Sequence, residues 1–287
     1  MTYLCLEYLI NIINLNFIIM ARQKGPIKYI GTLGDIRHFK IKNTDGYFAG
    51  MVGGPTAEQI KTDPAFARTR ENMSEFGGSA TAAKAVRVSF AGLIKSVADS
   101  RLTGRITALM KKINKEDTVG KRGERSILVS QYPEHLKGVE FNKKNTFGSI
   151  LHAAYTITPN VERNSSDLVI SAFNPRNSIN APAGATHFRI VNAIGVVSDY
   201  GFNAETKQYE PANDALNMKS NIVYSSYLDL NSNIAGDTTI TAMLSGSPTI
   251  PAEVGVLNVI GIEFYQQVNS EYYLFASGHA AKINSTF

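Results

Sequence analysis

Apolar positions recur along this chain with different periods, and each change of period marks a change of element. Between Pro26 and Val52 short alternating runs at 36–42 and 47–52 flank Asn43-Thr44-Asp45-Gly46, whose Asp-Gly pair predicts a β-hairpin. Gly53-Gly54-Pro55 then interrupts the strand pattern. From Asp63 the period lengthens to that of a helix. Asp63-Pro64 supplies an N-cap residue and a proline at the first helical position, where the missing N–H is harmless.

Phe66, Met73 and Phe76 fall at helical spacing, and Gly77-Gly78 is expected to end this first helix. Ser79 can cap a second helix with an apolar stripe of Val86, Phe90, Leu93, Ile94 and Val97. A third repeats the stagger with Leu102, Ile106, Leu109, Met110 and Ile113. Matching stripes predict an antiparallel helical hairpin packed within the chain, with an intermolecular helix contact as the alternative. On the first helix, Arg68 and Arg70 with Glu71 and Glu75 offer charge partners at the surface. The polar, glycine-punctuated stretch 114–125 reads as a loop or linker.

Beyond it the period falls to two. Runs at 150–158, 168–173, 187–197, 222–230, 238–244 and 254–266 are rich in β-branched and aromatic residues, and Asn, Gly, Pro and Ser clusters separate them. A last run at 272–276 joins 254–266 across Asn269-Ser270 as a closing hairpin. The expected fold class is therefore α+β: a small N-terminal β-hairpin and a helical hairpin, followed by an antiparallel β-sandwich-like domain. The expected division is a leader at 1–19, a basic β-hairpin and helical region at 20–125, and an all-β domain at 126–287.

The leader fits no targeting template. It lacks a basic start, carries Glu7, and has Asn11, Asn14 and Asn16 within its apolar run. The expectation is that translation starts at Met20; a membrane association enters only if 1–19 is part of the protein. The single cysteine, Cys5, cannot form an internal disulfide. That favours the cytoplasm and leaves export or the cell surface open.

Charge is divided unevenly. Up to Asn145 there are 23 Lys/Arg and 13 Asp/Glu; from Thr146 onward there are 6 and 11. A basic front and an acidic back suit contact between copies, or a basic helical surface for nucleic acid. The candidate phosphate contacts are Arg87, Arg101, Arg105, Lys111, Lys112, Lys115, Lys121, Arg122 and Arg125.

Catalytic signatures are missing. Gly31-Thr32-Leu33-Gly34-Asp35 has neither the Gly-Lys-Ser/Thr end of a P-loop nor the third glycine of a dinucleotide turn. His38, His135, His152, His187 and His279 have no local Cys or His partner at metal spacing. No Gly-x-Ser-x-Gly elbow occurs. Glu263, between Ile262 and Phe264, is expected to point outward as an ordinary surface carboxylate. Tyr224, Tyr227, Tyr265, Tyr272 and Tyr273 could line a ligand site or simply pack. No catalytic residue, cofactor or metal is expected.

The segments MARQKGPIKYIGTLGDIRHFKIKNTDGYFAG and DPAFARTRENMSEFG, and more loosely PAGATHFRI and GIEFYQQVN, resemble an uncharacterised bacterial family, a domain of unknown function. The resemblance runs from Met20 across most of the chain and implies no catalytic or binding residue. The expected function is a non-enzymatic structural protein that assembles with itself or another protein. A nucleic-acid-associated protein is the alternative, and a ligand-binding sandwich or an enzyme comes third.

Overall fold

A computed structural model of the chain describes residues 21–42 and 44–287, so the expected leader and Asn43 of the hairpin turn lie outside the described residues. Contacts divide the chain into two units, Met1–Phe66 and Ala67–Phe287. In the first, β1 (Ala21–Arg22), β2 (Gly31–Leu33), β3 (Ile36–Phe39) and β4 (Phe48–Met51) form an antiparallel sheet in the order β1-β4-β3-β2. The predicted hairpin is β3–β4, paired from Ile36↔Met51 to Phe39↔Phe48. A short helix α1 (Ala57–Thr62) follows, closed by a reciprocal capping box between Thr56 and Gln59.

The second unit begins with α2 (Ala67–Ser89), a continuous helix of 23 residues. Gly77-Gly78 does not end it, and Ser79 is no cap: its hydroxyl donates to the Glu75 carbonyl one turn back. Gly78 has a packing reason instead. A Cβ there would fall against the ring of Tyr209, so the missing side chain lets the aromatic lie on the helix backbone. We expect Gly78→Ala to destabilise the protein by about 1–3 kcal/mol through overpacking, despite the better helix propensity of alanine. Urea unfolding followed by tyrosine fluorescence checks this, and a stabilised variant would refute it.

The chain then turns at Phe90 into α3 (Ala91–Val97) and α4 (Leu102–Glu116). In the two predicted stripes Val86, Phe90, Leu93, Val97, Leu102, Ile106, Met110 and Ile113 are buried and Ile94 and Leu109 half-buried, whereas Met73 and Phe76 of the first expected helix are exposed. The stretch at 114–125 is no linker. Asn114 Nδ2 donates to the Arg125 carbonyl at 2.7 Å, and Asp117 accepts from the amides of Gly120 and Ser126, both at 2.7 Å. The loop is thereby folded back onto the helices, which share one core with the sheet that follows. For that reason the division falls after Phe66 and not after Arg125.

That sheet has six strands: β7 (His187–Ser198), β10 (Ser220–Tyr224), β11 (Leu228–Asp229), β13 (Val254–Val268), β14 (Glu271–Leu274) and β15 (Ala280–Thr286). β7 and β13 pair antiparallel from Val254↔Ser198 to Tyr265↔His187 and are buried on both faces. Val191, Ala193, Val197, Leu257, Val259, Ala281 and Ile283 meet the helices. Phe188, Ile190, Ile260, Ile262 and Phe264 meet Leu168, Ile170 and Ile240 of a second sheet. This second sheet is β12 (Thr238–Met243), β6 (Ser165–Ile170) and β5 (Tyr155–Pro159), in that order.

The closing hairpin is β13–β14, with Asn269 and Ser270 both at positive φ, as a tight two-residue turn demands. β15 and the hairpin of β8 (Tyr200–Asn203) with β9 (Gln208–Pro211) were not anticipated. The start of the expected run at 150–158 is instead the end of a helical turn, Phe147–Ile150. The fold is α+β, with helices and antiparallel sheets. Among the described residues no helix is long and apolar enough to cross a membrane.

Candidate interaction surface

Directly paired residues share a face of a sheet, so the registers Leu33↔Ile36 and Ile36↔Met51 place three apolar side chains in one row across β2, β3 and β4. All three face solvent: Leu33 is 68%, Ile36 46% and Met51 78% exposed. Ile27, Ile30 and Val52 are exposed as well. Along β3 the phase alternates, which puts Phe39 and its partner Phe48 on the opposite face with ring centroids 6.2 Å apart. Gly50 is the one fully buried residue among the described residues of this unit. A sheet of two- to four-residue strands without an interior leaves apolar area that needs covering.

Five of the nine expected phosphate contacts are held by carboxylates of the second unit. Arg105 donates to both oxygens of Asp99 at 2.7 and 2.9 Å, and to the carbonyls of Glu140 and Phe141. The Arg105 guanidinium, helped by the amides of Lys143 and Arg101, holds the Asp99 carboxyl far below its usual range, against the opposing pull of burial. Lys111 pairs with Glu75, Arg125 lies 3.8 Å from the same carboxylate, Arg122 is 3.4 Å from Glu71, and Lys121 is 3.9 Å from Glu124. Arg87 Nε is buried without a hydrogen-bond partner. Arg101, Lys112 and Lys115 are exposed, as Lys121 and Arg122 are, but form no salt bridge among the described residues, and their spacing puts them with Arg105 and Ala108 along one face of α4.

Glu75 is not the surface residue expected of it; it is 2% exposed. Its carboxylate takes Lys111 on one oxygen and the Gly123 amide on the other, at 2.8 Å. Burial alone raises the Glu75 carboxyl. The Lys111 and Gly123 hydrogen bonds and the charges of Lys111 and Arg125 outweigh it, and the net position is below 4.5. Nearby Tyr209 is pushed up to about 12 by burial and then by the Glu75 charge. Arg68 does pair with Glu71 at the surface, at 2.9 Å.

The outward expectation for Glu263 is also overturned: it is 4% exposed. Its partners are the Ser96 hydroxyl of α3 at 2.5 Å and the Tyr265 hydroxyl at 2.8 Å. Its neighbour across the sheet is Arg189, whose guanidinium lies over the rings of Tyr224 (4.5 Å) and Tyr227 (4.8 Å) and donates through Nε to the Ser225 carbonyl. Tyr227 stacks on Tyr272 at 3.9 Å and meets Tyr265 edge-on. Burial, and then the hydrogen bond to Glu263, raise the Tyr265 phenol far above its ordinary range. Four of the five candidate tyrosines thus belong to one cluster, while Tyr273 is on the other face of β14. Glu263 and Tyr265 are buried, and the remaining rings pack on one another and on Arg189, with Tyr227 exposed at the edge of the cluster. Register could have revealed it, since Glu263 is in phase with the core residues Leu257 and Val259.

His279 is structural: Nδ1 accepts from the Phe264 amide at 3.1 Å, and Nε2 faces the Phe275 carbonyl at 2.7 Å. Among the described residues no group of three His, Cys, Asp or Glu is placed to hold a metal. No known family model matches this chain, and no curated protein is significantly similar to it.

Proposed function

We propose that this protein is a non-enzymatic structural component that assembles with further copies of itself through its N-terminal sheet. The exposed Leu33–Ile36–Met51 row carries this reading, because a unit with so little interior gains most from a surface that covers it. The partner is a second copy on charge grounds. The unit that carries the sheet, Met1–Phe66, has 7 basic and 5 acidic residues and the stretch from Thr146 onward 6 and 11, so contact of the sheet with that acidic stretch of another copy is attractive and sheet-to-sheet contact is not. Such heterologous contact generates a ring or a filament. Apolar burial supplies affinity, at about 1.5–3 kcal/mol for each fully covered side chain, while charge supplies orientation.

Light scattering coupled to size exclusion, on protein starting at Met20, tests the reading. The expected result is a defined oligomer or filament that loosens as salt is raised. Ile36→Asp with Leu33→Asp is expected to yield monomers whose unfolding is otherwise unchanged. A salt-insensitive wild-type monomer would refute the proposal.

One observation favours a second reading, a nucleic-acid-associated protein: Arg101, Lys112 and Lys115 share a face of α4. Their small number, beside five cations already paired, ranks it lower. We also read the two apposed antiparallel sheets of the second unit as sandwich-like, and the likeness from Met20 onward to an uncharacterised bacterial family as part of the same picture.

A further inference from the structure

The same face of α4 borders a cavity of about 530 Å³. Its apolar lining comes from Ala108 and Leu109 of α4 and from Val139 of the segment that follows the 3-10 turn Pro133–His135. Its cationic lining comes from Arg105, Lys112 and Lys143. Arg105 is neutralised by Asp99, so Lys112 and Lys143 carry the uncompensated charge. Glu140, the one acid in the lining, accepts from the Phe147 amide at 2.9 Å, and its charge is attracted by Lys282 outside the lining. The volume lies within the range of small-molecule sites, which combine an apolar lining with a few placed polar groups.

We infer that this cavity binds one molecule of a free anionic amphiphile, an aliphatic chain ending in a carboxylate or similar anion, with the chain against Ala108, Leu109 and Val139 and the head between Lys112 and Lys143. The argument for this occupant is complementarity. A wholly polar anion wastes the apolar wall, a neutral hydrocarbon gains nothing from the exposed ammonium groups of Lys112 and Lys143, and a cation is repelled by them. A polynucleotide has no use for the apolar part. The site is independent of the self-assembly proposed above, since every lining residue belongs to the second unit.

Calorimetric titration of the full chain with decanoate, butyrate, decanol and decyltrimethylammonium tests the inference. Decanoate is expected to bind one to one, and more tightly than each of the others by about tenfold or more, about 1.4 kcal/mol. Lys112→Glu combined with Lys143→Glu should weaken decanoate by a similar factor and leave decanol unchanged. Ala108→Phe, at an exposed helical position, should abolish decanoate binding by filling the cavity without altering charge, with thermal unfolding as the control for fold. Equal binding of decanoate and decyltrimethylammonium would overturn the proposal. So would an Ala108→Phe variant that binds normally, or a short oligonucleotide that displaces decanoate and binds more tightly. If decanoate binds only as anionic vesicles and never as monomer, the free amphiphile is likewise excluded.

Discussion

Glu75→Gln is expected to cost about 3 kcal/mol or more, because it removes the carboxylate shared by Lys111, Arg125 and the Gly123 amide and leaves two cations facing a neutral group. For a unit of this size that corresponds to a fall in Tm of roughly 6–12 °C. The loss arises from uncompensated charge more than from the worth of the pair. Removing the facing cation as well, in Glu75→Gln with Lys111→Met, should therefore recover part of it, with a coupling of about 0.5–3 kcal/mol. The pH dependence has a definite sign. The folded carboxyl lies below its ordinary 4.5, so its contribution is complete above that pH and disappears as pH falls through the folded value. Urea unfolding between pH 3 and 7 should show a steeper acid loss in the wild type than in Glu75→Gln. A single variant within about 1 kcal/mol of wild type, or parallel pH profiles, would show that the charge hub contributes little.

Burial of Glu75 could not be read from helical spacing, and the reason is specific. Its partners come from α4 and from a loop 48 residues away, where Gly123 donates, so its burial depends on tertiary contacts that no local period encodes. Gly77-Gly78 misled for a related reason. Glycine ends helices where a positive φ is needed, but here Gly78 admits Tyr209 from β9, a hairpin not anticipated. Where local chemistry decided, the sequence was legible: Asp45-Gly46 between β3 and β4, Asn269-Ser270 between β13 and β14, and the apolar stripes of the helices. The exposed row at Leu33, Ile36 and Met51 needed the register, since alternation alone could not say which face would lack a cover. The basic candidates show the same limit. Sequence supplied the cations, but only the fold could assign Arg105 to Asp99 and Arg122 to Glu71.

Asn192→Leu is expected to destabilise by about 2–4 kcal/mol, an effect out of proportion to a near-isosteric change. Asn192 of β7 is fully buried and donates both amide hydrogens to carbonyls of the second sheet, Ser166 at 2.9 Å and Ile240 at 2.8 Å. Its own oxygen accepts from Asn258 of β13 at 2.7 Å, and Asn258 also donates to the Ser166 hydroxyl. The two asparagines therefore fasten the sheets at one register, within a face that is otherwise Ile190, Ile194, Ile260 and Ile262. Because the side-chain period is two, a one-residue slip of β7 would remove the amide from its carbonyls and present Val191 or Ala193 instead. Replacing both partners by apolar groups should cost less than replacing one, so Asn192→Leu with Asn258→Leu is expected to regain part of the stability. Its slowest-exchanging amides in β6 and β12 should nevertheless lose protection, because the fixed register goes with the network. Urea unfolding gives the first comparison and hydrogen exchange the second. A double variant whose loss equals the sum of the single losses would mean that the asparagines act separately, and unchanged exchange in β6 and β12 would mean that apolar packing alone sets the register.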